Sequence, residues 1–371
     1  MSQLSLVEPY LKLIFNLILV VVVFTLSGQL LLAQTEKKKF TLNGGADLYY
    51  SYNFNKPLNG VNDYFVSYHN NHKPSLNLVY VKGTFKTKNI RVNAAPAFGT
   101  YMQANYAPEP IIYRNILEAN AGILINKKNN IWIDVGVMPS PIGDENYFSN
   151  EQLTISRSLA SEYTPYYLNG AKLAFDVSKQ INVGFYVVNG WQQIKDVNTQ
   201  KSVVVNVCYM PFYNLILNYV LYAGNHKNIA SPQMANRLMH NFYATYKINK
   251  YELAFNTFVT SQKIKSSFIN KTASIFSSNI KARYNFYKQH FISARAEYFN
   301  DKDEVDIKPV NPNANGFDAF GYSCGYDFKI NNKIFARTEF KSLYSRQPIF
   351  IKNNAFVNAN QIFYMGLVAT F

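Results

Sequence analysis

Asn360-Gln361-Ile362-Phe363-Tyr364-Met365-Gly366-Leu367-Val368-Ala369-Thr370-Phe371 closes the chain, and its alternation decides the fold. Counting back in twos, Phe371, Ala369, Leu367, Met365 and Phe363 make one apolar set. Between them Thr370, Gly366 and Tyr364 are smaller or carry a polar tip. A period of two is the signature of a β-strand with unlike faces. Such a strand suits the edge of a soluble sandwich or a wall of a closed barrel, so the remainder of the chain must decide.

Working outward, the same alternation recurs from Phe40 onward. Strands are expected near 41–54, 75–86, 90–99, 115–126, 131–138, 167–177, 181–189 and 201–210. Eight more are expected near 214–223, 237–248, 251–261, 273–286, 290–300, 318–330, 333–343 and 360–371. Tight turns at Thr87-Lys88-Asn89, 127–130, Ser178-Lys179-Gln180, Pro211-Phe212-Tyr213, Asn249-Lys250, Tyr287-Lys288-Gln289 and Asn331-Asn332 alternate with long connections at 55–74, 100–114, 139–166, 190–200, 224–236, 262–272, 301–317 and 344–359. Connections sorted by length in this way belong to an up-and-down barrel with short periplasmic turns and long external loops. Charges also keep to one face. Arg337, Glu339 and Lys341 oppose Ile334, Ala336, Thr338 and Phe340, and Ser293, Arg295 and Glu297 oppose Ile292, Ala294, Ala296 and Tyr298. Alternation cannot say which face is inside, but size can, because side chains cannot fill a lumen bounded by about sixteen strands. The expected fold is all-β: a transmembrane, up-and-down, antiparallel β-barrel spanning 41–371.

Composition agrees. Charged residues are 16% of the chain and aromatics 16%, with 29 Tyr and 28 Phe, and a mean hydropathy of −0.15 excludes a bundle of membrane helices. The apolar run from Leu13 to Ala33, preceded by Lys12 and followed by Gln34-Thr35-Glu36-Lys37-Lys38-Lys39, reads as a signal peptide over 1–33. A short periplasmic segment over 34–40 would follow. The run is long and Leu31 is not small, so a retained anchor helix is the other reading. Cys208 points inward and Cys324 outward, which predicts no disulfide. The net charge of +15 comes without a Lys/Arg run longer than Lys37-Lys38-Lys39, so it points to anionic solutes or headgroups and not to nucleic acid.

The longest connection, 139–166, carries Pro139-Ser140-Pro141-Ile142-Gly143-Asp144-Glu145, then Ser156-Arg157-Ser158-Leu159, and ends at Tyr163-Thr164-Pro165-Tyr166-Tyr167-Leu168-Asn169-Gly170-Ala171. Val187-Val188-Asn189-Gly190-Trp191 follows. These segments resemble the OmpL-like β-barrel porins common in Bacteroidota, specifically over 130–200 and more loosely elsewhere. The resemblance implies an outer-membrane porin, a water-filled channel for passive diffusion of small hydrophilic solutes, in a Gram-negative envelope of that kind. The terminal Phe371 resembles the signal read by the barrel-assembly machinery. Outer-membrane lipid and a second copy of the chain are further partners compatible with this reading.

Charge makes the third external loop a candidate constriction. It holds Asp144, Glu145, Glu151 and Glu162 against Arg157 alone. Folded inward, it would face basic wall residues Lys281, Arg295, Arg337 and Lys341, setting a transverse field and a cation/anion preference at the narrowest point, which the net positive charge turns toward anions. That preference fails if Glu252, Glu297 and Glu339 pair with the wall cations. Alternatively the loop is a solvated surface loop, and the barrel a non-conducting adhesin or scaffold.

Catalytic chemistry has little support. His69 and His72 are spaced to share a metal but have only Asp63 as a close carboxylate. Asp301, Asp303, Glu304 and Asp306 lack the ligand spacing of a calcium loop. His240 shares the outward parity of Phe242 and Ala244. No Gly-x-Ser-x-Gly turn occurs, which leaves a rim-acting hydrolase as the weakest alternative. No cofactor is expected. Tyr49, Tyr50, Tyr52, Phe212, Tyr213, Phe286 and Tyr287 are expected in interfacial girdles.

Overall fold

The computed structural model describes residues 39–225, 234–265 and 270–371. The signal-peptide reading and most of the short N-terminal segment fall outside the described residues. The wall comprises β1 (Phe40–Asn53), β2 (Ser75–Lys86), β3 (Ile90–Phe98), β4 (Ile116–Asn126), β5 (Ile131–Pro139), β6 (Tyr167–Asp176), β7 (Ile181–Val188) and β8 (Ser202–Phe212). It continues through β9 (Leu215–Asn225), β10 (Met234–Ile248), β11 (Tyr251–Lys265), β12 (Asn270–Tyr287), β13 (His290–Asp301), β14 (Phe317–Asn331) and β15 (Ile334–Ser345). A two-stranded hairpin of β16 (Phe350–Lys352) and β17 (Ala355–Val357) stands apart in the last loop, and β18 (Ala359–Thr370) completes the wall.

Sixteen of these strands close into one antiparallel barrel, each paired with its chain neighbour and β18 paired with β1. At the closure Ala46 faces Ala369 and Tyr52 faces Phe363, so no strand edge is left to lipid. The apolar set of the terminal strand lies outward, with Met365, Leu367 and Phe371 exposed, while Ile362, Tyr364 and Val368 are buried inward.

Two boundaries and one girdle position depart from the sequence reading. Strands β10 to β12 extend further toward the external side, so much of 262–272 is strand. The turn expected at Pro211-Phe212-Tyr213 lies at Tyr213-Asn214, because a register shift between Tyr209 and Phe212 absorbs Pro211 where its missing N–H breaks no ladder. Tyr49 is not a girdle residue, since neighbours along a strand face opposite ways. Its buried hydroxyl accepts from the backbone N–H of Asn70 at 2.8 Å, while Phe212, Tyr213, Phe286 and Tyr287 are exposed at the turns. The two cysteines are free.

Candidate functional site

The connection between β5 and β6 lies against inward-facing wall residues. The Gly143 N–H donates to Asn241 Oδ1 on β10 (2.9 Å), and the Ser149 hydroxyl donates to Asp47 on β1 (2.9 Å). On β15, Glu339 accepts from the Ser156 N–H (2.7 Å) and hydroxyl (2.8 Å), and Lys341 donates to the Arg157 carbonyl (3.0 Å). On β13, Arg295 donates to the Thr154 hydroxyl and the Ser156 carbonyl, both at 2.8 Å, and Glu297 accepts from the Leu159 N–H (2.6 Å). Arg337 donates to the Ser149 carbonyl. Two wall glycines make room: a Cβ on Gly45 would stand 2.3 Å from the Phe148 ring, and one on Gly366 would stand 2.7 Å from Ile155. The loop thus follows β10 to β15, β18 and β1, and reaches β2, where Tyr147 and Phe148 pack on Tyr80 at 5.8 and 5.1 Å.

The four wall cations proposed from sequence are all compensated. Lys281 meets Asp144 at 2.7 Å and Glu145 at 3.2 Å; Arg295 meets Glu339 at 2.9 Å and Glu297 at 3.2 Å. Lys341 meets Glu297 at 3.0 Å, and Arg337 meets Asp327 at 2.9 Å. Of the acids that would cancel an anion preference, Glu297 and Glu339 do pair with Arg295 and Lys341, while Glu252 pairs with Lys247 and Arg283. Lys281, Arg295 and Lys341 form one buried chain of ion pairs with Asp144, Glu145, Glu297 and Glu339, four carboxylates to three cations. Burial pushes the Asp144 carboxyl up despite Lys281 beside it. Burial acts likewise on Glu145, but the attraction of Lys281 and Arg295 and the Ser158 hydroxyl outweigh it and hold that carboxyl below its ordinary value. Of these two neighbours, Asp144 is the better proton holder.

The other loop residues act separately. Glu151 is exposed on a 3₁₀ turn, Ser149–Glu151, and accepts from the Asn146 amide. Glu162 is buried and accepts from Val66 N–H (2.7 Å) and Ser67 N–H (3.2 Å), tying the third loop to the first; burial pushes its carboxyl up. Arg157 lies between the rings of Tyr101 and Tyr166, 4.6 and 4.8 Å from their centroids, and donates to the Asn146 carbonyl. Phe371 is exposed on the outer face, its N–H bonded to the Gly44 carbonyl at 3.1 Å.

The wall of β2, β3 and β6, where Tyr147 and Phe148 of the loop pack on Tyr80 of β2, carries cations that the sequence reading passed over. Lys82 on β2 meets Glu118 at 2.5 Å and Arg91 on β3 meets Asp134 at 2.5 Å. In both pairs the carboxylate is the more buried member, 4% and 7% exposed against 23% and 28% for the cations, so the positive ends face the lumen. Asp134 is in register with Lys172 on β6, whose ammonium lies 5.1 Å from the centre of the Tyr186 ring. Inward parity on 75–86, 90–99 and 167–177 was the available signal.

The lumen differs with depth. Toward the long loops, Met138, Leu168, Val188 and Val204 on the wall are buried in one apolar cluster with Ile142, Leu159 and Ala160 of the loop. Toward the short turns, a cavity of about 300 Å³ is lined by Glu151, Gln152, Leu153, Thr245, Lys247 and Glu252, among others.

The remaining polar candidates have structural partners. His69 and His72 engage different carbonyls, those of Phe65 and Asn53, and His240 shares a 2.7 Å hydrogen bond with Tyr219 on the outer face. Asp301 accepts from the N–H groups of Val305, Asp306 and Ile307, while Asp303 pairs with Lys271 and Asp306 with Arg237.

Solved structures with this architecture are outer-membrane proteins. The outer membrane channel DcaP of Acinetobacter baumannii superposes with a TM-score of 0.61 at 9% identity, covering 92% of this chain and 100% of that one. An anion-selective porin from Comamonas acidovorans gives 0.57 at 12% identity, over 90% and 99% of the two chains. OmpT of Vibrio cholerae, in its trimer form, gives 0.56 at 10% identity over 90% and 99%. At such identities the likeness establishes the fold. No curated protein sequence matches the chain. The family model described as "Putative beta-barrel porin-2, OmpL-like" matches residues 39–371, which is the whole barrel. The inward-docked loop and the closed sixteen-stranded wall are therefore features of a chain that belongs to the OmpL-like family of β-barrel porins.

Proposed function

We propose that this porin is a passive diffusion channel for small hydrophilic solutes, with an anion preference, in the outer membrane of a Gram-negative cell of the Bacteroidota kind. The observation that carries the reading is the division of the lumen. The third loop is fastened to β12, β13 and β15 by a compensated ionic network, and the wall of β2, β3 and β6, outside that network, presents Lys82, Arg91 and Lys172. In this reading the loop is the constriction, and selectivity comes from those three cations and not from Lys281, Arg295, Arg337 and Lys341. Glu151 is the loop's exposed acid. The trimer form of a structural neighbour supports a homo-oligomer as the working assembly. Lipid, and an assembly machinery reading Phe371, complete the partners. No enzymatic role is proposed.

The apolar packing of the external half favours a second reading, a closed scaffold or adhesin barrel. Two measurements separate them. Liposomes carrying the folded protein should swell in small uncharged sugars, and a KCl gradient should give a reversal potential of the sign for anions. Absence of swelling supports the closed barrel, and a cation-sign potential removes the anion preference.

A further inference from the structure

On β6 and just past β7, the residues out of phase with the lumen-facing Lys172 and Tyr186 are Tyr167, Asn169 and Asn189; on β5, Val137 is out of phase with Asp134. These side chains point away from the lumen. Lower on the same strands such positions are bare, as at Val135 and Phe185. At the external rim, however, Val137 is 5% exposed and Tyr167 only 2%. The cover comes from two connections, the first of which also reaches the docked loop through Tyr101 against Arg157. The Tyr106 ring, from the connection between β3 and β4, stacks on Tyr167 at 4.4 Å. Glu109 accepts from the Tyr167 hydroxyl (3.0 Å) and from the N–H groups of Ile194 (2.6 Å) and Lys195 (3.2 Å), in the connection between β7 and β8. Asn169 and Asn189 both donate to the Ile194 carbonyl, at 2.8 and 3.0 Å.

Hydrogen bonds brace the flap, although the buried Tyr106 hydroxyl has no partner. Arg114 donates to the Glu109 and Ala107 carbonyls, each at 2.8 Å, and Pro108 and Pro110 restrict the backbone. What projects is the 3₁₀ turn Ile111–Tyr113, with Ile111 81% and Ile112 78% exposed, the two most exposed aliphatic side chains among the described residues. They continue the outward apolar band of Phe98, Val135 and Val187 beyond the strand ends.

We infer that this flap is a lipid-contact element, which seats Ile111 and Ile112 in the interface of the outer leaflet and extends the lipid-facing band of β3 to β7 past the rim. Continuity with a surface that already faces lipid selects acyl chains as the occupant. The exposed Lys201–Asp196 pair of the second connection stays on the aqueous side.

Nitroxide labels at Ile111→Cys and Ile112→Cys, in the full chain carrying Cys208→Ser and Cys324→Ser, test this in proteoliposomes. Leu58→Cys, exposed in the first loop, serves as the aqueous reference. Folding of each variant is checked by resistance of the barrel to detergent below its melting temperature. The labels at 111 and 112 should collide more with oxygen, which partitions into acyl chains, than with a water-soluble nickel chelate, and the label at 58 should do the reverse. Labels at 111 and 112 that behave like the one at 58 would overturn the inference. So would spin–spin broadening that vanishes on dilution with unlabelled protein, which would assign the flap to a contact between copies. Neither result bears on conduction, so this inference fails separately from the porin reading.

Discussion

Arg295→Ala should release the third loop. Arg295 contributes two hydrogen bonds to loop oxygens at 2.8 Å and one to the Ser156 hydroxyl at 2.9 Å, and it neutralises Glu339 and Glu297. Its removal leaves those two buried carboxylates with only Lys341, which reaches Glu297. Breaking one partner from a buried pair costs about 3–5 kcal/mol. At ~1.4 kcal/mol per tenfold, the balance between docked and undocked loop moves by roughly two to three and a half powers of ten. The variant should show frequent excursions to a higher single-channel conductance and faster cleavage within 143–157 by protease added outside sealed proteoliposomes. Because neutral replacement of a buried pair costs little, Arg295→Met with Glu339→Gln, which keeps Glu297 paired with Lys341, should restore much of the quiet, protected state. A folded Arg295→Ala protein with wild-type conductance, noise and protease resistance would refute the claim that this network holds the loop.

Further outcomes follow from the same geometry. Asp144 is raised above its ordinary 3.8, so its contribution to stability is present below that value and lost as pH climbs through the raised one. Glu145 is held below its ordinary 4.5, so its contribution is present above 4.5 and lost as pH falls. Thermal unfolding should therefore find Asp144→Asn equal to wild type in acid and more stable at neutral pH, with Glu145→Gln less stable there. Arg91→Gln with Lys172→Gln leaves Asp134 uncompensated and should move the reversal potential toward cations, more in dilute salt than at ~1 M where screening acts within about 3 Å. Gly45→Leu, overpacking against Phe148 by ~1–3 kcal/mol, should raise conductance without changing any charge. Phe371→Ser should lower the yield of assembled barrel in cells and leave refolding in detergent intact, the two yields together testing an assembly role against a stability role.

The wall was legible in the sequence because lipid on one side and polar groups on the other impose the strictest alternation a strand can carry. The terminal set ending at Phe371 and the Arg337-Glu339-Lys341 face fall on the expected sides. The charge of the lumen was not legible in the same way. Lys281, Arg295, Arg337 and Lys341 are inward, yet each lies beside a carboxylate on the loop or on a strand one or two away, and a formal charge count sees the cation without its partner. Lys82 and Arg91 were passed over for the converse reason. Their partners Glu118 and Asp134 are there in sequence, but the unequal burial that turns the positive ends to the lumen exists only after folding. The loop's path was hidden because its anchors, Ser149, Thr154 and Ser156, are small hydroxyl residues that look like any solvated turn.

Single-channel current through the folded, membrane-inserted protein tests the central claim most directly. Steady current steps in the wild type, enlarged in Arg295→Ala, are the predicted result. Inserted protein that carries no current in either form would contradict the porin reading and leave a barrel closed by its own loops.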